Sequence, residues 1–116
     1  MCFESIKPLK AKIAKKDVKC WKTLERTFEN KLLSVCEDFQ YEIGIKQPKV
    51  DIFIKGSAFG MYWINEGYHS CKTLKEAKTW KDACPEHEIH KFIIPAGTRY
   101  FENELDYVSE TIILVK

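Results

Sequence analysis

One stretch of this chain, residues 67–80, restricts its fold more than any other. It reads Gly-Tyr-His-Ser-Cys-Lys-Thr-Leu-Lys-Glu-Ala-Lys-Thr-Trp and holds the only strong helix start in the sequence. Thr73-x-x-Glu76 has the form of a capping box, in which the threonine hydroxyl accepts from the Glu76 amide and the Glu76 carboxylate reaches back to the Thr73 amide. Leu74, Ala77 and Trp80 then fall three apart on one face, with Lys75, Lys78 and Lys81 on another. Pro85 ends the helix. One short helix, over about residues 73–81, needs something to pack on, and the rest of the chain is patterned as strands.

Residues 17–26 alternate, with Val18, Cys20 and Leu24 set between Lys19, Lys22 and Arg26, as in a half-buried strand. Residues 27–31 suit a turn and 32–36 a returning strand. Leu24, Phe28, Leu32 and Val35 also fit a helical period, so a helix over 24–38 stays open. Residues 39–43 alternate up to Gly44. A connection at 46–49 leads to a short strand at 50–54, and 56–60 is a flexible loop without the Lys-Ser/Thr ending of a phosphate cradle. Residues 61–64 form a strand and 65–67 a turn, which sets 68–72 at a strand-to-helix junction. Residues 89–94 are apolar on both faces, as in a central strand. Pro95-Ala96-Gly97 makes a tight turn of type I, with Pro95 at i+1 and Gly97 at i+3. Residues 98–101 return from it, 102–106 are a polar loop, and 107–115 are the last long β-rich segment. The pattern predicts an α+β fold: a mostly antiparallel twisted sheet, or small open β-barrel, of about five to seven strands with the one helix packed on it.

At 116 residues the chain has room for one core. We divide it into a basic, loosely held N-terminal arm at 1–16, along which Ile6, Leu9 and Ile13 offer an apolar edge, and a single compact domain at 17–116. Its hydrophobic content of 45% argues against disorder. No apolar run approaches the roughly 18 residues of a membrane span, and the first residues lack the apolar core of a signal peptide. The five cysteines (Cys2, Cys20, Cys36, Cys71, Cys84) are odd in number and follow no disulfide framework, which points to free thiols in a reducing cytoplasm. Charge is uneven: residues 1–22 carry seven lysines against Glu4 and Asp17, and residues 101–116 carry four acids against Lys116. A basic end suits nucleic acid, a phosphorylated ligand or an acidic protein surface, or else the chain's own acidic end.

Several spaced pieces carry a family likeness. They are residues 13–22 (Ile-Ala-Lys-Lys-Asp-Val-Lys-Cys-Trp-Lys), Tyr41-Glu42-Ile43-Gly44, Gly67-Tyr68-His69-Ser70 leading into Thr73-x-x-Glu76-Ala77, Pro95-Ala96-Gly97-Thr98-Arg99-Tyr100-Phe101 after Ile93 and Ile94, and Tyr107-Val108-Ser109 with Ile112-Ile113. In these the chain resembles small proteins without an assigned activity, encoded by gut Bacteroidota-type bacteria and by their phages and prophages. The likeness covers most of residues 13–115 and lapses between Lys46 and Asn65. It implies a compact α+β domain of phage or mobile-element origin and implies no activity.

Three constellations carry chemistry. His69-x-Cys71 followed by Cys84-x2-His87-x2-His90 offers zinc ligands, but there is no Cys-x2-Cys knuckle and no deaminase signature, and we expect no metal and no cofactor. The Gly-Tyr-His-Ser segment before a helix is loosely similar to the substrate half of ADP-ribosyltransferases, with Glu110 available as an acid. Residues 1–66, however, contain no histidine and only one arginine, Arg26. Hydrolysis through Cys71 and His69 is opposed by their closeness in sequence, and no Gly-x-Ser-x-Gly elbow exists. The third set is aromatic and cationic: Trp63, Tyr68, His69, Lys72, Arg99 and Tyr100. Such residues stack on bases and neutralise phosphate, although each also suits a core or solvated position.

The function expected from the sequence is therefore a non-catalytic, cytoplasmic binding protein of phage or mobile-element type. It would sequester a host protein or a nucleotide-like anion, with antagonism of a bacterial defence system as the concrete version. A small ADP-ribosyltransferase-like enzyme is the alternative. Neither a membrane nor sequence-specific nucleic acid is an expected partner, and a homo-oligomer is compatible with the sequence. The ligand site is placed on the six aromatic and cationic residues, with the anion at the helix start beside Lys72.

Overall fold

The computed structural model describes residues 3–34, 40–56 and 59–115. In chain order its strands begin with β1 (Phe3–Ser5), β2 (Lys12–Ile13), β3 (Val18–Arg26), β4 (Leu32–Ser34), β5 (Gln40–Tyr41), β6 (Lys55–Gly56), β7 (Tyr62–Ile64) and β8 (Tyr68–Cys71). The helix α1 (Leu74–Ala83) follows, and β9 (Glu88–Ile94), β10 (Arg99–Glu102), β11 (Asp106–Ser109) and β12 (Ile113–Leu114) complete the described elements. The fold is α+β and mostly antiparallel, with more and shorter strands than the five to seven expected.

Alternation dictates the spine. β3 buries Cys20 and Leu24 on one face and pairs with β9 from Val18 opposite Ile94 to Leu24 opposite Glu88. The main sheet runs β12-β9-β3-β8-β11-β10-β2, with β4 and β5 continuing from the end of β3. A second sheet of three strands runs β1-β7-β6. One core gathers Cys20, Leu24, Tyr41, Tyr68, Phe92, Ile94, Ile112 and Leu114. The other joins Phe3 and Ile64 of the small sheet to Phe101 and Val108 of the large one, with Ile52 between.

The main sheet is curled but does not close into a barrel. Residues 110–112 carry the chain from β11, between β8 and β10, to the far edge beside β9. On a flat sheet those four strand positions span about 19 Å, whereas four residues reach at most about 14 Å. Curling brings the edge within reach. The β-rich segment expected at 107–115 is therefore two strands, broken where Glu110 and Thr111 turn the corner.

Other expectations change for stated reasons. The N-terminal arm is held: β1 pairs with β7, β2 pairs with β10, and Phe3 and Ala14 are buried. Of the apolar edge expected there, Leu9 packs on the second core, while Ile6 and Ile13 lie exposed. Residues 24–34 are strand and turn, not helix; Asn30 takes the left-handed backbone (φ 64°) that reverses the chain. Residues 50–54 form no strand, because Val50 reaches only the Glu110 carbonyl while Ile52 plugs the second core. In the turn after Pro95, the Thr98 amide donates to the Pro95 carbonyl and Gly97 has φ 88°. Gly97 thus sits at i+2, where a type II turn needs positive φ, one place from the type I frame expected. Val35, Cys36 and Phe39 of the expected strands, and Ser57 and Ala58 of the expected loop, lie outside the described residues.

The helix begins where expected. Thr73 is its N-cap, and the Thr73 hydroxyl accepts from the Glu76 amide at 3.2 Å. It packs on β3, β8 and β9 through Ala77, which is fully buried, while Leu74 and Trp80 stay about two-fifths exposed.

Candidate functional site

Within the expected junction, residues 68–71 form a buried strand, and Lys72 links it to the helix cap at Thr73. β8 lies between β3 and β11, and all four of its residues are buried. Tyr68 belongs to the first core and donates its hydroxyl to the Pro48 carbonyl at 2.7 Å. His69 faces the second core: its ring meets Phe3 edge-on at 6.3 Å, Nε2 lies 3.4 Å from the Asn65 carbonyl, and Nδ1 is buried without a partner. Burial, reinforced by the Lys22 charge, lowers its pKa to about 4, so the imidazole is neutral at neutral pH. Neither side chain is available as a surface ligand.

The other four expected residues divide. Lys72 lies 2.9 Å from Glu102 and 5.4 Å over the Tyr107 ring, and Tyr107 meets Tyr100 edge-on at 5.7 Å. Lys72 and Tyr100 thus share one neighbourhood. Arg99 lies over Phe101 at 5.0 Å and pairs with Glu110, while Trp63 sits half-buried in the small sheet. The anion expected to offset Lys72 at the helix start has a protein counterpart in Glu102. Lys12 contacts the same carboxylate, so the basic end of the chain does meet its acidic end.

What the structure builds around Lys72 is a groove of about 810 Å³. The N-terminal segment forms one wall, α1 another, and the turn between β10 and β11 the third. Leu9, Met61, Trp80 and Leu105 give it apolar lining, and Lys12, Lys72 and Glu102 stand together along it. Asn103 shapes the third wall: its side-chain oxygen accepts from the Leu105 and Asp106 amides, and its amide nitrogen donates to the Glu4 carbonyl.

Asp106 is one of the residues that line this groove. It is 7% exposed, and its Oδ1 is buried with no hydrogen-bond partner. Burial first, and then the Glu76 carboxylate, push its pKa up to about 6, against the pull of the Cys71 thiol and Lys72. Reading 102–106 as a polar loop hid this residue. The available signal was the alternation Asp106, Val108, which puts the acid on the same inner face as a buried valine.

The residues weighed as zinc ligands are scattered. His69 and Cys71 lie in β8, and His90 lies 3.1 Å from Glu88, which Arg26 clasps with two hydrogen bonds. Cys84 and His87 do come together, joined by Glu86; the donor atoms of these three lie within 4.8 Å of one another. Cys71 and His69 share a face, but burial pushes the thiol up to about 12 and the imidazole down to about 4. That is a neutral pair, not the thiolate and imidazolium of a cysteine nucleophile. Glu110, with 8% of its side chain exposed, is held between Lys49 at 3.2 Å and Arg99 at 3.4 Å.

The fold and groove together define a small α+β domain with a cavity lined in part by acidic residues. No protein-family model, curated protein or solved structure matches the chain. Among the described residues, no helix is long and apolar enough to cross a membrane.

Proposed function

We propose that the protein is a non-catalytic binding protein that captures a partner protein by seating one of its basic side chains in the groove. Asp106 carries this reading, as a carboxyl in the lining of the groove with one oxygen buried and unpartnered. An unmade buried acceptor costs roughly 1–3 kcal/mol, and a donor supplied by a ligand removes that cost. Glu76 stands near enough to raise the Asp106 pKa, so the two acids together favour a cation. The aliphatic stem of an arginine or lysine also suits Leu9, Met61, Trp80 and Leu105. A nucleotide-like anion fits less well, because both Lys12 and Lys72 already share Glu102. In the phage or mobile-element setting that the sequence likeness implies, the captured protein is a host component, and a defence protein is the concrete version.

Selection of a randomised displayed peptide library on the immobilised chain tests this. We expect arginine or lysine to be enriched at one position beside apolar residues, and the enrichment to vanish on Asp106→Asn. ATP is titrated in parallel. A library without a basic consensus overturns the proposal, as does ATP binding that Lys72→Glu abolishes.

A further inference from the structure

We infer that Cys84, Glu86 and His87 form a binding site for a first-row transition metal of the zinc type, with one coordination position open to an outside ligand. A thiol sulfur, a carboxylate oxygen and an imidazole nitrogen lie within 4.8 Å of one another in the turn that follows α1. In a tetrahedral zinc site the bond lengths of about 2.0–2.3 Å place ligands roughly 3.3–3.8 Å apart. Small side-chain rotations at this half-exposed turn are enough to close the difference.

The backbone is already set for it. The Cys84 amide donates to the Lys81 carbonyl and the His87 amide to the Cys84 carbonyl, each at 3.0 Å, and Pro85 fixes φ between them. Three ligands within four residues close only a very short loop, so little chain entropy is lost on binding. Among the described residues no hydrogen bond or ion pair engages the side chains of Cys84, Glu86 or His87. The other histidines are occupied, His69 against Phe3 and Asn65 and His90 against Glu88. Cys84 is also the C-cap of α1, where the helix presents its negative end to a cation.

The donor set selects the ion. Thiolate and imidazole favour zinc and its neighbours over magnesium and calcium, which take oxygen ligands. Binding releases the Cys84 thiol proton, and thiolate, carboxylate and neutral imidazole then balance a divalent charge. Three protein ligands are the number at which zinc sites keep a fourth position for water or an outside group.

The test uses the full chain, reduced and stripped of metal, titrated with Co²⁺. We expect a sulfur-to-cobalt charge-transfer band that saturates at one ion per chain and is displaced by Zn²⁺. Cys84→Ser should abolish the band, and His87→Ala should weaken binding by at least about tenfold. Cys71→Ser should leave the band in place, and circular dichroism checks that each variant is folded. Absence of the band at millimolar Co²⁺ overturns the inference. So does a band that survives in folded Cys84→Ser, since the metal then sits on another thiol.

Discussion

Asp106 faces Cys71 in register across the β8–β11 ladder, and two residues along, Val108 faces His69. One inner face of the sheet therefore carries a carboxyl, a thiol and an imidazole in a row, each shifted by burial towards its uncharged form.

The row makes opposing contributions to stability against pH. His69 stays neutral in the fold down to about pH 4 while the unfolded chain takes up a proton near 6.5, so its contribution is lost as pH falls through that interval. Asp106 holds its proton in the fold up to about pH 6 while the unfolded chain releases it near 3.8, so its contribution grows as pH falls from about 6 to about 4. Glu88, held by Arg26 at about 2 against 4.5 in the unfolded chain, loses its contribution as pH falls from about 4.5 to about 2. Urea midpoints of the wild type should vary little between pH 6.5 and 4.5, within about 1 kcal/mol. Asp106→Asn should expose an acid-side loss of order 2 kcal/mol, and His69→Phe a gain of similar size. Equal slopes in all three proteins would contradict the assignment.

Glu76 has two duties that substitution can separate. Thr73→Ala removes the cap and should cost about 0.5–2 kcal/mol. The structure shows the threonine leg of the capping box, so Glu76→Gln should cost less than Thr73→Ala. It should also lower the Asp106 pKa, which carboxyl NMR titration reads directly. An unchanged Asp106 titration would remove Glu76 from the groove's electrostatics.

Two glycines should rank in a definite order. Gly97 has φ 88° with open space where a Cβ would stand, so Gly97→Ala should cost about 1 kcal/mol from backbone strain alone. Gly67 has φ 94°, and a Cβ there would lie 3.1 Å from Ile52 and 3.2 Å from the Ser109 carbonyl, so Gly67→Ala should cost more. Thermal midpoints of the two variants check the order, and a reversal would contradict the packing of Ile52 on the turn.

Cysteine reactivity should separate the thiols. Cys20, Cys71 and Cys84 are free; the first two are buried and pushed up to about 12, while Cys84 is half-exposed. Timed alkylation of the native protein with peptide mapping should modify Cys84 well before Cys20 or Cys71. Labelling of Cys71 as fast as Cys84 would show that β8 opens. Cys2 and Cys36 lie outside the described residues.

Much of the fold could be read where its causes are local. β3 and β9 follow from alternation and apolar runs, and the start of α1 follows from Thr73. The type of turn at Gly97 was misplaced by one residue because proline and glycine suit two frames. β8 was hidden because Tyr68, His69 and Ser70 look like surface chemistry, and only distant partners such as Pro48 and Phe3 make their burial tolerable. β1 and β2 were hidden for a similar reason: strands of two or three residues exist through pairing with β7 and β10, to which no local pattern points. The site shared that fate. Of the six residues expected from the sequence, Lys72 lines the groove, while Asp106 is marked only by its neighbours in space.

The N-terminal segment belongs to three structures at once. β1 is a strand of the small sheet, β2 is a strand of the large one, and Ile6, Lys7, Pro8, Leu9 and Lys10 between them wall the groove. The same few residues therefore hinge one sheet to the other and grip whatever enters. By reciprocity, an occupant that tightens this wall tightens the seam between the sheets by an equal free energy. A force that parts the seam loosens the grip, so the cavity, lined by β1 of the small sheet and by β2, β10 and β11 of the large one, reports on the integrity of their joint.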